Sequence, residues 1–211
     1  MPPTLTVRLV LLGGARMLAP RGEVQLHRKA AAVLAYLALE GETTKYRLAG
    51  WLWPEVPEVT ARNNMRQLLK RLRDSAGEEV VAGGDRVRLA DGVSADAAEL
   101  EACAFAGEHA AVAALGGELL AGLDFDDCPD FATWLDSARA GLVATRLASL
   151  AAESERHEAA GNLPAALEAA RAAVELDPFS EAGYRRLMRL HFLGGDRGAA
   201  LATYERCRAV L

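Results

Sequence analysis

Cationic and amide side chains recur along one side of the segment from Val59 to Asp74, VTARNNMRQLLKRLRD. On a helix of about 3.6 residues per turn, the apolar residues of this segment gather on the opposite side, which predicts a helix packed against a core. Arginine matches the paired acceptors of guanine, asparagine and glutamine match adenine, and lysine or arginine neutralises phosphate. The predicted outer side therefore suits a nucleic-acid ligand. It carries Arg62, Asn63, Arg66, Gln67, Lys70 and Arg73.

Each of these side chains also has a structural interpretation, because a basic amphipathic helix is often an ordinary solvated surface. Arg62 has an alternative role as a brace for the neighbouring loop, and Asn63 has one in starting the helix. Arg73 lies in the last turn, where positive charge complements the helix dipole. The nearby Trp51 and Trp53 are interpreted as core or hinge residues rather than base-stacking platforms.

The charge distribution along the chain favours the nucleic-acid interpretation. The whole chain has a net charge of −5. Residues 1–93 contain 14 Lys and Arg against 10 Asp and Glu, whereas residues 94–211 contain 10 against 19. An acidic second half repels a polyanion, so the basic first half is the expected docking surface.

Several predicted elements precede the basic helix and must hold it in place. Alternating apolar residues and glycine-containing turns predict a small antiparallel meander at the start of the chain. Thr44 is a good N-cap for a helix that Pro54 ends, so two helices joined by a short turn lead into the basic segment. The expected strands cover 5–11, 15–19 and 24–26, and the expected helices cover 27–40, 45–53 and 59–74.

A β-hairpin is predicted directly after the basic helix. Two valines at 80–81 and the run Arg86-Val87-Arg88-Leu89 flank the turn Gly83-Gly84-Asp85. Arg86 and Arg88 are expected near the tip of this hairpin. A hairpin that follows the last helix of a helix-turn-helix is called a wing.

Here the sequence resembles a known family. Leu52-Trp53-Pro54 followed by TARNNMRQLLKRLR, residues 60–73, is similar to the OmpR-type winged-helix DNA-binding domain, in the version found in the Streptomyces antibiotic regulatory protein (SARP) group of transcriptional activators. The resemblance covers about residues 5–90 and implies that the third helix enters the major groove while the hairpin touches the minor groove or backbone. The implied base contacts are Asn63, Arg66, Gln67 and Lys70, and the implied phosphate contacts are Lys45, Arg47, Arg62, Arg73, Arg86 and Arg88.

The second half contains an internal repeat. The segment 161–167, GNLPAAL, aligns with 195–201, GDRGAAL, at an offset of 34 residues, which is the tetratricopeptide period. Stacked helix pairs of this kind leave a concave face that suits a protein or peptide partner. GELLAGL at 117–123 and FATWLDSAR at 131–139 resemble the start of the bacterial transcriptional activation domain, an all-helical module that follows the winged helix in the SARP group.

The expected fold is therefore mainly α, with an α+β N-terminal domain. A winged helix-turn-helix with an N-terminal β-sheet is predicted for residues 1–93, and an all-α tetratricopeptide-like domain for residues 94–211. No cofactor or metal site is expected, because the histidines and the three cysteines lack ligand spacing and the acidic loop at 124–130 lacks the pattern of a calcium-binding loop. The absence of phosphate-loop, nucleophile-elbow and zinc-protease motifs argues against an enzyme.

Two functions from different classes fit these features. The first is a sequence-specific activator that binds double-stranded DNA and uses its helical domain for self-association or for contact with the transcription machinery. The resemblance implies binding to direct repeats and recruitment of RNA polymerase. The alternative is a protein-interaction adaptor whose winged helix does not read DNA. In either case we expect a cytoplasmic protein with no membrane association, since the longest apolar run is too short to cross a bilayer.

Overall fold

The computed structural model describes residues 7–211, so the part of the first strand expected at Leu5 and Thr6 lies outside the described residues. Packing divides the chain into two compact units that are interleaved in sequence. The N-terminal unit comprises the residues up to 102 together with 115–141, and the C-terminal unit comprises 103–114 and 142–211.

The strands and helices predicted from the sequence occur in the expected order, together with short strands at 43–44 and 93–95 that were not predicted. The strands are β1 (Val7–Val10), β2 (Arg16–Ala19), β3 (Gly22–Gln25), β4 (Thr43–Thr44), β5 (Val81–Ala82), β6 (Arg86–Leu89) and β7 (Val93–Ala95). The helices are α1 (Arg28–Glu40), α2 (Lys45–Leu52), α3 (Glu58–Ala76), α4 (Asp96–Phe105), α5 (His109–Ala114), α6 (Pro129–Ala159), α7 (Leu163–Leu176), α8 (Glu181–Leu193) and α9 (Arg197–Val210).

The first sheet of the N-terminal unit has the strand order β3-β2-β1-β7. The strands β1, β2 and β3 form the expected antiparallel meander, and β7 pairs with β1 in parallel. Val7, Leu9 and Met17 are buried, whereas Arg8 and Arg16 are exposed. The alternation seen in the sequence therefore places one face of this sheet on the core.

Helix α1 is the centre of the N-terminal unit, because its residues from Ala31 to Ala35 have no exposed surface. Helix α2 begins at the expected cap, where the Thr44 hydroxyl accepts a hydrogen bond from the Arg47 amide at 3.2 Å. Helix α3 begins after Pro57 and ends at Gly77, whose φ of 83° lies in the left-handed region that favours glycine. The three expected helices are confirmed.

The second sheet of the N-terminal unit forms the predicted wing. Strands β5 and β6 make an antiparallel hairpin, and β4, which the sequence did not predict, adds to β6 through the pairs Thr43 with Val87 and Thr44 with Arg86. Val87 is buried, whereas Arg86 and Arg88 are exposed. The hairpin is thereby anchored directly to the start of α2.

The residues around the expected domain boundary are part of the first sheet. Strand β7 occupies 93–95, and the buried carboxylate of Asp96 accepts hydrogen bonds from the amides of Leu11 at 2.9 Å, Leu12 at 3.1 Å and Ala97 at 2.8 Å. The segment 115–141 also reaches this sheet, since the Leu120 amide donates to the Leu11 carbonyl at 2.8 Å. The predicted domain boundary between residues 93 and 94 stays a prediction. The compact units are defined by packing, whereas the predicted domains are stretches of sequence that correspond to protein families.

The C-terminal unit contains the predicted repeat. The side chains of Asn162 and Asp196 cap α7 and α9 by accepting hydrogen bonds from Ala165 and Ala199, at 3.3 and 2.8 Å. These caps are 34 residues apart in the sequence. A buried cluster then joins α7 to α8 through Ala166, Ala170, Val174, Tyr184, Leu187 and Leu190.

The expected fold class is confirmed: a winged helix with an N-terminal sheet is followed by a tetratricopeptide-like helical region. Within residues 7–211, no helix has the length and apolarity needed to span a membrane.

We predict that Asp96→Ala lowers the free energy of unfolding of the N-terminal unit by about 2–4 kcal/mol, because it leaves three amide donors without their charged acceptor. Urea unfolding followed by tryptophan fluorescence measures this quantity, since Trp51, Trp53 and Trp134 all belong to this unit. Asp136→Ala, at an exposed helical position, is the control and should change it by less than about 0.5 kcal/mol. Equal effects of the two variants would contradict the assigned role of Asp96.

Candidate nucleic-acid interface

One side of α3 is fixed to the core of the N-terminal unit. Ala61, Met65, Leu72 and Ala76 are buried at helical spacing. Burial of a methionine or leucine side chain contributes about 1.5–3 kcal/mol, so this inner side determines how the helix is rotated about its axis. The expectation that Leu68 and Leu69 share the buried side holds only in part, because each is half-buried at the wall of a groove.

The outer side of α3 is exposed as predicted. We call Val59, Asn63, Arg66 and Lys70 the crest of the helix, because they follow one another at intervals of three and four residues and are exposed. The crest faces away from the buried side that contains Met65. All four side chains that the sequence predicted as base contacts are exposed, and three of them lie on this crest.

A groove of about 870 Å³ runs between α3, the start of α2 and the β5–β6 hairpin. We call it the wing groove. Its charged lining residues are five cations and two acids, so the electrostatic balance of its wall is positive. They are Lys45, Arg62, Arg66, Lys70, Arg73, Glu79 and Asp85.

Arg66 and Asn63 are paired on the crest. The Nη1 atom of Arg66 donates a hydrogen bond to Oδ1 of Asn63 at 2.9 Å. This bond uses one of the five guanidinium donors and leaves the amide donors of Asn63 available. The contact restricts the position of the guanidinium without neutralising its charge.

Arg62 has partners on its own helix and on α2. Its guanidinium forms an ion pair with Glu58 one turn earlier and lies over the Tyr46 ring, 5.6 Å from the centroid. Both contacts are with residues of α2 and α3 and neither is with the neighbouring loop, so the alternative of a loop brace stays a prediction. Tyr46 is exposed and lines the wing groove, and it was missed by the sequence analysis because a single tyrosine in a helix carries no pattern.

The two arginines of the wing are also paired with nearby acids. Arg86 forms an ion pair with Glu42, and Arg88 contacts Asp91 at 2.7 Å. The hydrogen bond and charge of Arg88 hold the pKa of Asp91 below its usual value. These pairs are exposed, and such pairs contribute about 0–1 kcal/mol, so an incoming phosphate can replace the acid at little cost.

Three other predicted cations are free of acidic partners. Within residues 7–211, the side chains of Lys45, Lys70 and Arg73 form no ion pair, and all three line the wing groove. Arg47 lies outside that groove, with its guanidinium 4.5 Å from the ring centroid of Trp51. Together with Arg66, whose partner Asn63 is neutral, Lys45, Lys70 and Arg73 are therefore the cations best placed to hold an anion in the wing groove.

Gln67 lies on the other flank of α3. It lines a second groove of about 460 Å³, together with His27, Lys29, Trp53 and Arg71. Lys29 in that groove is positioned by the Trp53 ring, 4.9 Å from its Nζ atom. Gln67 therefore does not line the wing groove, although residues of the same helix, α3, line both grooves.

Arg28 and Cys128 of the N-terminal unit lie away from the wing groove and have structural partners. Arg28 binds the Asp127 carboxylate with two hydrogen bonds of 2.7 and 2.6 Å. Burial raises the pKa of the Cys128 thiol to about 11, so it stays protonated near neutral pH. Among residues 7–211, no cluster of three or more His, Cys, Asp or Glu side chains has the geometry of a metal site.

Comparison with protein families identifies the helical part of the chain. The model of the bacterial transcriptional activator domain matches residues 84–211, which is more than half of the sequence. The chain belongs to this family. The resemblance to the SARP-type transcriptional regulators is thereby confirmed, and the bacterial transcriptional activator domain includes strand β6 of the wing as well as the helical repeats.

The fold is also similar to a solved structure, that of Mycobacterium tuberculosis EmbR in complex with a low affinity phosphopeptide. The match has a TM-score of 0.69 and 24% sequence identity, and it covers 97% of this chain and 59% of the EmbR chain. The chain therefore spans about three fifths of the length of EmbR. A search of curated proteins gives no match.

The turn of the wing provides a direct test of how this activator-family chain positions its hairpin. Gly83 has a φ of 113°, and a Cβ atom there would lie 2.2 Å from the Arg86 carbonyl oxygen. We predict that Gly83→Ala lowers the free energy of unfolding by about 1–3 kcal/mol. Gly84→Ala, where a Cβ meets nothing within 4 Å, should change it by less than about 0.5 kcal/mol. Urea unfolding checks both, and equal stability of the two variants would show that the turn tolerates a side chain.

Proposed function

We propose that this protein is a sequence-specific activator that binds double-stranded DNA through the winged helix of its N-terminal unit. Helix α3 enters the major groove, and the wing touches the backbone beside it. The observation that carries the proposal is the exposed basic crest of α3, bordered by a positively lined groove and fixed by its buried inner side. A rigid helix that presents arginine and amide groups is the form in which proteins read base edges.

The crest supplies the proposed base contacts. Arg66 reads a guanine through the guanidinium donors that its bond to Asn63 leaves free. Asn63 and Lys70 contact neighbouring bases along the same side of the helix. Gln67 reaches a base from the second flank, where its amide matches adenine.

The wing groove supplies the proposed phosphate contacts. Lys45 and Arg73 neutralise phosphates directly, because neither side chain forms an ion pair with an acid among residues 7–211. Arg62, Arg86 and Arg88 contribute after exchanging an acidic partner for phosphate. Arg47 contributes less than these because its guanidinium is stacked on an aromatic ring.

The helical repeats of the C-terminal unit supply the proposed partner contacts. They serve self-association on direct repeats of the DNA site, or contact with RNA polymerase. Apolar side chains that are exposed in this unit support a protein partner, since stacked repeats use their free surfaces for binding. They include Phe179, Phe192, Leu201 and Tyr204.

Selection from random duplexes with the purified protein tests the proposal and yields the preferred site. We predict that Arg66→Ala weakens binding to that site by about 1–3 kcal/mol and relaxes the preference at one base pair. Arg88→Ala should weaken binding to selected and random duplexes by equal factors, because it removes a backbone contact. Equal losses on both duplexes for both variants would contradict this division of roles.

Salt dependence measures the phosphate contacts separately. The logarithm of the association constant should fall linearly with the logarithm of the salt concentration, by about 0.9 per phosphate neutralised. We predict that Arg73→Ala reduces this slope by about 0.9, whereas Glu79→Ala, which removes an acid from the same groove, does not reduce it. Binding without salt dependence, or no enriched duplex at all, would favour the adaptor whose winged helix does not read DNA.

A further inference from the structure

The apolar residue on the crest, Val59, lies outside the buried core of the N-terminal unit. Val59 is 70% exposed at the second position of α3. It precedes Asn63 by four residues and Arg66 by seven, so the three side chains lie on one stripe of the helix. Among the exposed residues of this stripe, Val59 alone lacks a polar group.

Local helix chemistry does not require a valine at this position. The residues that could form a hydrophobic staple at the start of α3 are Val56 and Ala61, which line another surface. Valine is also a poorer helix former than alanine, because its branched side chain is restricted in a helix. Val59 lines neither the wing groove nor the second groove.

We propose that Val59 determines specificity by contacting the C5 methyl group of a thymine. The inference rests on the proposed function, since it requires α3 to lie in the major groove. The thymine methyl is the apolar group that base pairs display there. The first residues of a recognition helix are the ones that approach base edges, and Val59 lies in the first turn.

The charges beside Val59 are compatible with this contact. Its neighbour Glu58 forms an ion pair with Arg62, so the first turn does not present an unpaired carboxylate to the DNA. Asn63, one turn later, keeps its amide donors for a base. Val59 thus extends the reading side of α3 by one turn toward its start.

Helix geometry gives the position of the thymine. Seven residues separate Val59 from Arg66, which corresponds to about 10.5 Å along the helix axis. Successive base pairs are about 3.4 Å apart. A helix parallel to the duplex axis would span about three base pairs over this distance and an inclined helix spans fewer, so we place the thymine within about three base pairs of the guanine that Arg66 reads.

The test removes the methyl group alone. In the duplex selected by the whole protein, each thymine is replaced in turn by deoxyuridine, and affinity is measured at one salt concentration. At one position, the natural protein should lose about fourfold in affinity, the factor expected for one buried methyl group. Val59→Ala should bind the thymine and deoxyuridine duplexes equally, and thermal unfolding checks that this variant remains folded.

Lys70→Ala is the matched control on the same crest. It should weaken binding to both duplexes and retain the fourfold ratio between them. The inference would be overturned if Val59→Ala retained the fourfold ratio, or if no deoxyuridine substitution weakened binding of the natural protein. In either case, an enriched site and the effect of Arg66→Ala would still support the proposed function. Failure to enrich any duplex would overturn the proposed function and this inference together.

Discussion

The buried side of α3 is the constraint on which the candidate interface depends. Met65 and Leu72 are almost completely enclosed, and each contributes more than an exposed ion pair does. The core therefore determines the rotation of the helix about its axis. This rotation in turn determines the direction in which the charged side chains point. Because side chains on a helix repeat about every 3.6 residues, burial at these positions places Asn63, Arg66 and Lys70 together on the exposed crest. The basic surface is a consequence of packing.

Acidic neighbours divide the cations of the winged helix into two groups. Arg62, Arg86 and Arg88 are held by carboxylates of the N-terminal unit itself, whereas Lys45 and Arg73 have no such partner in the described range 7–211. Exposed pairs of this kind are weak, so they leave the arginines solvated and do not block an anion. The acids that pair with these arginines do not line the wing groove. The wall of the wing groove is therefore positive whether or not those ion pairs are formed.

Local signals carried most of what the sequence could predict. Periodicity, the Thr44 cap and the glycine turns are properties of neighbouring residues, and the 34-residue repeat needs only a comparison of the chain with itself. The missed features depend on distant residues. Strand β7 is only three residues long and is formed by pairing with β1. The buried carboxylate of Asp96 is stabilised by the hydrogen bonds that it accepts from the amides of Leu11 and Leu12. The location of Gln67 on a separate flank likewise required the neighbouring elements to be in place.

The interleaving of the two units has a consequence for synthesis. The N-terminal unit includes Asp96 and the segment 115–141, although its basic helix α3 ends at Ala76. A chain leaving the ribosome can therefore form the winged helix early, but the backbone of Leu11 and Leu12 stays without these partners until about residue 120 has emerged. During that interval, unpaired strand backbone is open to other chains. Nascent copies should thus be most dependent on chaperones while the residues between about 96 and 120 emerge.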